Sequence, residues 1–183
     1  MAKRGETRER LLRTAAVLFQ TQGYHATGLN QVVAEGNAPK GSLYFHFPGG
    51  KEQLAAESLA LSAGEVQERL RSVTDLDDAL DLFAAQLVAS DFRDGCPIAT
   101  VALDAAAESD QIRTACATAY GSWRAVLTDF LVRQGIHMDR APGLATTVLA
   151  AVEGALLLAR TQRDVSPLRQ VAADMRILIE GVR

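Results

Sequence analysis

Lys40, Ser42, Tyr44, Phe45 and His46 fall within seven residues, around Gly41 and directly after Pro39. An amine, a hydroxyl, a phenol, an aromatic ring and an imidazole on one short segment suit contacts to phosphates and base edges. Lys40 can donate to guanine O6 or N7, and Ser42 can address either a base or a phosphate. Gly41 leaves room for the backbone to approach a duplex. An exposed Phe45 can touch a thymine methyl, while His46 either donates to DNA or stands in solvent. Tyr44 can brace the segment with its ring and reach a phosphate with its hydroxyl. Lys51 and the N–H groups opening its helix form a phosphate seat. Thr27 is expected to serve the same purpose at the preceding helix, and Lys3, Arg4 and Arg8 are candidates for the backbone or minor groove.

Such a segment works only if apolar helices hold it, and the chain supplies them. Leu11, Leu12, Ala15, Ala16 and Phe19 recur at helical spacing, predicting a helix from Thr7 to about Gln22. Thr7 is expected to cap it and Gly23 to end it. Thr27 should cap a second helix over Leu29 to Glu35, with Leu29, Val32 and Val33 inward. Gly36-Asn37 makes the turn, Asn being the next choice after Gly for positive φ. A third helix follows over about Lys40 to His46, with Leu43 and Phe47 directed into the small core.

Beyond Pro48-Gly49-Gly50 the pattern stays helical. A long connecting helix is expected over about 51–72, then further helices over about 75–91, 98–108, 110–134, 144–163 and 168–180. Ser109 or Asp110 is expected to cap the fourth of these, and Gly135 to end it. No segment reads as a strand and no repeat is present, so the fold class is all-α with about nine helices. Residues 1–50 are expected to form a helix-turn-helix head, and 51–183 a helical body.

Charge separates head from body. Residues 1–51 carry seven Lys/Arg against three acids, +4, whereas the rest carries twelve against nineteen, −7. A basic head on an acidic body suits a polyanion partner for the head alone. No run approaches the roughly 20 uninterrupted apolar residues of a membrane span, and the N-terminus is not of signal-peptide type. Two cysteines, Cys96 and Cys116, neither build a disulfide framework nor have zinc-ligand spacing. They are expected to be buried thiols, with redox sensing as the other reading. A cytoplasmic protein without metal or cofactor is expected.

By the third helix the chain resembles the TetR-type transcriptional regulators. Thr7, Ala16, Phe19, Gly23-Tyr24, Thr27, Gly41, Leu43-Tyr44, Phe47, Lys51 and Leu54 carry the likeness over residues 7 to about 59. The string from Ala38 to Tyr44, the extra glycine in Pro48-Gly49-Gly50-Lys51, and Gly95-Cys96-Pro97-Ile98-Ala99 resemble the LmrA/YxaF-like subgroup. Asn37 departs from the glycine usual at its turn. The resemblance favours a phosphate contact for Tyr44. It also implies a ligand chamber in the middle helices, where Phe83, Leu87, Phe92, Cys96, Leu103, Tyr120, Trp123 and Leu127 are candidates either to line it or to form ordinary core. Mixed aromatics with few polar groups suit an apolar or aromatic effector.

One short helix reads too few base pairs, and a two-fold dimer presents two of them to half-sites about one helical turn apart. In a chain resembling this family, the last two helices point to a four-helix dimer interface. Its candidates are Leu144, Val148, Ala151, Gly154, Ala155, Leu158, Val171, Met175 and Leu178, with intramolecular core as the competing reading. The expected function is a homodimeric repressor of an inverted-repeat operator, released by a small effector. An activator and a helical small-molecule-binding protein are the alternatives. An enzyme is disfavoured: His25, His46 and His137 are scattered, and no nucleophile–base pair or phosphate loop appears.

Overall fold

Leu11, Leu12, Ala15, Leu18 and Phe19 are all at most 9% exposed, so the first helix does turn one apolar stripe inward. A computed structural model describes residues 4–39 and 41–182, the side chain of Arg4 excepted. Its elements are α1 (Arg4–Gln22), α2 (Leu29–Glu35), α3 (Ser42–His46), α4 (Gly50–Ser72), α5 (Leu76–Ala89), α6 (Ala99–Ala105), α7 (Asp110–Arg133), α8 (Ala141–Gln162) and α9 (Ser166–Glu180). No strand occurs among the described residues.

The ends of these helices follow local chemistry. The Asp75 carboxylate accepts from the Asp78 N–H at 2.8 Å to start α5, and Ser109 does the same for Ile112 at 3.2 Å to start α7. Asn37 takes φ 45° as expected of the turn, where the Arg10 guanidinium donates to its carbonyl at 3.3 Å. Two expected caps are corrected. Thr7 is buried inside α1, which already begins at Arg4. Gly28, not Thr27, is the N-cap of α2, with no side-chain cap bond. Pro142 and Pro167 lie inside the first turns of α8 and α9 rather than before them, because a missing N–H costs nothing where no intrahelical acceptor exists.

The chain divides into two compact units that do not follow chain order: residues 1–64 with 97–120, and 65–96 with 121–183. In the first, α1 packs on α2, α3 and α6. In the second, α9 packs on α5 and α8, and Leu131, Ile136, Ala141, Ala145 and Ile179 form a core against which Leu76, Leu127, Phe130 and Leu144 pack. Helix α8 is long and apolar enough to cross a membrane by composition. Glu153 and Arg160 interrupt it, and seven of its residues are buried within the fold.

Candidate nucleic-acid interface

Helix α3 is held from below and open above. Leu43 and Phe47, four residues apart, are 2% and 0% exposed, while Tyr44 and Phe45 between them are 63% and 65% exposed. Successive helical residues turn by about 100°, so anchoring 43 and 47 sends 44 and 45 outward. Gly41 opens the helix at φ 88°, a conformation that disfavours any side chain, and a Cβ there would meet nothing within 4 Å. The Arg8 guanidinium lies 5.1 Å from the Phe47 ring centroid and pairs with Glu57. Arg8 therefore clamps α1, α4 and the end of α3 rather than reaching outward.

Gly36 supplies the other local constraint. An added Cβ would lie 2.8 Å from the Val32 carbonyl of α2 itself and 3.3 Å from the Thr14 hydroxyl of α1, so a side chain here would force the end of α2 to shift.

Beside α3, Lys51 sits in the first turn of α4. Its ammonium donates one hydrogen bond to the His25 carbonyl at 3.3 Å and lies 4.5 Å from the Tyr24 ring centroid. Burial lowers its pKa from the ordinary lysine value, with Asp104 partly restoring it. Burial likewise raises the Tyr24 phenol, helped by Glu52 and Glu108. A partly desolvated ammonium gains from a phosphate that adds its charge to the partial compensation from Asp104.

The other expected contacts fare differently. Thr27 is fully buried, and its hydroxyl donates to the Gly23 carbonyl at 2.7 Å. It closes the α1–α2 turn and presents no donor to a duplex. The Ser42 hydroxyl oxygen is also buried, with no partner among the described residues. His46 is half-buried, its ring edge-on to Phe45 at 5.0 Å. Lys3 and Lys40 lie outside the described residues, as does the Arg4 side chain.

Sequence reasoning missed a latch next to this surface. The His25 N–H donates to Asp104 Oδ2 at 2.8 Å, and its ring Nε2 lies 3.1 Å from the Asp104 carbonyl and 3.3 Å from Glu108. It ties the α1–α2 turn to α6 and the α6–α7 connection. Its partners are 79 residues apart, so no periodicity announces them.

In the body, Leu87, Cys96 and Trp123 are buried, and Phe83, Phe92, Tyr120 and Leu127 half-buried. Leu103 is 86% exposed and departs from a chamber-lining role. On a helix as short as α6 the buried face belongs to Val101 and Ala105. The half-buried Glu153, absent from the expected set, accepts a hydrogen bond from the Cys96 thiol, and burial raises its carboxyl above the ordinary value. A cleft of about 250 Å³ between α5 and α9 is lined by Asp77, Asp81, Arg169 and Arg176 with leucines and alanines, and by none of these candidates.

Of the residues expected at a dimer face, Val148 and Ala155 are 2% and 1% exposed and serve their own chain's core. Leu144 packs on the core around Leu131. Ala151, Val171 and Met175 are half-buried. Gly154, Leu158 and Leu178 are exposed, and the neighbouring Leu157 and Ile177 are 58% and 68% exposed.

A short helix with outward Tyr44 and Phe45, carried on buried apolar anchors beside α2, is the architecture of a helix-turn-helix head. Known proteins agree. Residues 11–58 match the family described as bacterial regulatory proteins, tetR family. Residues 72–174 match the C-terminal domain of LmrA/YxaF-like transcriptional regulators. The HTH-type transcriptional regulator YxaF of Bacillus subtilis is 38% identical over 98% of both chains. LmrA of the same organism is 36% identical over 96% of this chain and 98% of its own. The chain thus belongs to the TetR family of DNA-binding transcriptional regulators, with a body of LmrA/YxaF type, and it is not an enzyme. Among solved structures, a TetR regulator from Legionella pneumophila superposes with a TM-score of 0.81 at 22% identity, over 100% of this chain and 99% of its own, which establishes the all-α fold.

Proposed function

We propose that this protein is a cytoplasmic, homodimeric repressor that binds an inverted-repeat operator and leaves it when a small apolar or aromatic effector binds the body. The observation that carries this reading is the outward pair Tyr44–Phe45 over buried Leu43 and Phe47, with the Lys51 ammonium beside it. Tyr44 and Lys51 hold phosphates, Phe45 and His46 face the bases, Gly41 permits close approach, and Lys40 completes the set. Residues 1–50 act as the reading head and 51–183 as the effector and dimerisation body.

The effector is received among Phe83, Leu87, Phe92, Cys96, Trp123 and Leu127. Two connections support coupling to the head: α4 runs on from the head at Gly50, and Asp104 of α6 holds the α1–α2 turn through His25. An effector that binds more tightly to the non-operator state moves this equilibrium, and operator must weaken effector binding by the same factor. Dimerisation uses the exposed residues of α8 and α9, chiefly Gly154, Leu158 and Leu178 with Leu157 and Ile177.

Selection of genomic fragments on the purified protein, followed by a salt titration on the winner, tests the reading. Recovery of an inverted repeat whose affinity falls steeply with salt supports it. Failure to enrich any sequence, with or without candidate effectors, overturns it.

A further inference from the structure

The chain holds sixteen arginines but only three lysines, Lys3, Lys40 and Lys51, and all three fall within the first 51 residues. The two cations differ in chemistry. A guanidinium stays charged in any protein setting, whereas a lysine amine gives up its proton when partly buried and then becomes a nucleophile. Side-chain amines are thus confined to the head, while the acidic body carries its positive charge on arginine alone.

Lys51 stands in surroundings that suit a nucleophile. Its Nζ lies 3.3 Å from the His25 carbonyl and 4.5 Å from the centroid of the Tyr24 ring, and that ring stacks on Phe19 at 5.9 Å. The amine is therefore positioned, yet the residue is only half-buried and open to a small reagent. Among the described residues no carboxylate forms an ion pair with it, and Asp104 acts on it only through space. The partial burial that lowers its pKa also enlarges the share present as free amine.

We propose that Lys51 is an acyl-acceptor site, at which activated acyl groups (acyl phosphates or acyl thioesters) release the head from its operator. The Nζ lone pair attacks the acyl carbon and a C–N bond forms. The C–O bond of the acyl phosphate, or the C–S bond of the thioester, breaks, and its electron pair leaves with phosphate or thiolate. The surplus proton on nitrogen passes to solvent. The product is a neutral amide whose remaining N–H can still donate to the His25 carbonyl. The charge that holds a phosphate and is attracted to the Tyr24 face is gone. The inference rests on the phosphate contact proposed above and adds the chemistry that removes it.

The test incubates the full chain separately with acetyl phosphate and with acetyl-coenzyme A. Peptide mass spectrometry follows each amine in time, and the selected operator is then titrated by fluorescence anisotropy over a range of salt. Lys51 should be the amine acetylated fastest by at least one donor, which identifies the source, and saturating operator should slow its reaction. A fully modified dimer lacks one phosphate contact in each half-site. Its affinity should fall about 100-fold, and the slope of log affinity against log salt should shrink by about two. Lys51→Arg keeps a charge without the amine. Measured against its own untreated sample, it should lose little affinity on treatment, whereas Lys3→Arg combined with Lys40→Arg should lose most of what wild type loses.

Acetylation confined to Lys3, Lys40 or the terminal amine with both donors overturns the inference and leaves the repressor reading intact. So does a protein acetylated at Lys51 that keeps its operator affinity and salt slope, a result that also removes Lys51 from the phosphate contacts. Failure of the wild type to enrich any operator would remove both readings together.

Discussion

Glu153 shows how one residue's surroundings become a measurable property. Burial holds its carboxyl above the ordinary value, and the Cys96 thiol only partly offsets that. An acid whose folded pKa exceeds its unfolded one makes the native state bind more protons. Stability is then greatest below the ordinary carboxylate range and declines as pH rises through the raised value. Glu153→Gln should therefore shift the melting temperature upward at about pH 8 and leave it nearly unchanged at about pH 4. A parallel shift at both values would show that the carboxyl's ionisation is not the cause. At the DNA surface, Tyr44→Phe removes one hydroxyl and keeps the ring. It should weaken operator binding roughly tenfold, equally across operator variants, because phosphate contacts carry no base information. Discrimination that changes with the hydroxyl would move Tyr44 to a base.

At the scale of elements, the α1–α2 turn is the piece most dependent on small contacts. The buried Thr27 hydroxyl satisfies the Gly23 carbonyl, and Thr27→Val, of similar shape, leaves that acceptor without it. The expected cost is about 1–2 kcal/mol, seen as a lower midpoint in urea unfolding; an unchanged midpoint would mean that water replaces the hydroxyl. Asp104→Ala releases the same turn from α6. Amide exchange should then accelerate at His25 and its neighbours, while the cores of α8 and α9 keep their protection. Helix existence and order at this scale were legible from apolar spacing. The caps were less so, because Thr27 and Thr7 are good capping types that tertiary packing uses as buried residues instead. The latch from His25 to Asp104 was illegible, since two unremarkable polar residues meet only once α6 has packed against α1.

For the whole molecule, the decisive quantity is the exposed apolar face of α8 and α9. Leu157, Leu158 and Ile177 are at least half exposed, which is costly for a chain that stays alone. Leu158→Glu places a charge there and should yield a folded monomer by sedimentation. Its operator affinity should fall by at least about 100-fold, because one half-site no longer brings the other within reach. A dimer that survives would locate the interface elsewhere. Apolar spacing on α8 identified a face rich in small residues but not its direction: Val148 and Ala155 turn inward, whereas Gly154, Leu157 and Leu158 turn outward.

The amino-acid sequence by itself determined that the chain is helical, where its helices lie to within a few residues, and that residues 27–51 follow a helix-turn-helix pattern. These follow from periodicity, turn residues and chemical type, all of which act over a few positions. Tertiary structure decided which side chains remain available. It withdrew Thr27 and the Ser42 hydroxyl into the head, turned Arg8 into a clamp on Glu57 and Phe47, left Leu103 in solvent, and joined Asp104 to the head. The physical reason is that exposure and partnership are properties of packed surfaces. A residue's type fixes what it can donate or cover, but neighbours far away in the chain decide whether anything is left to receive it.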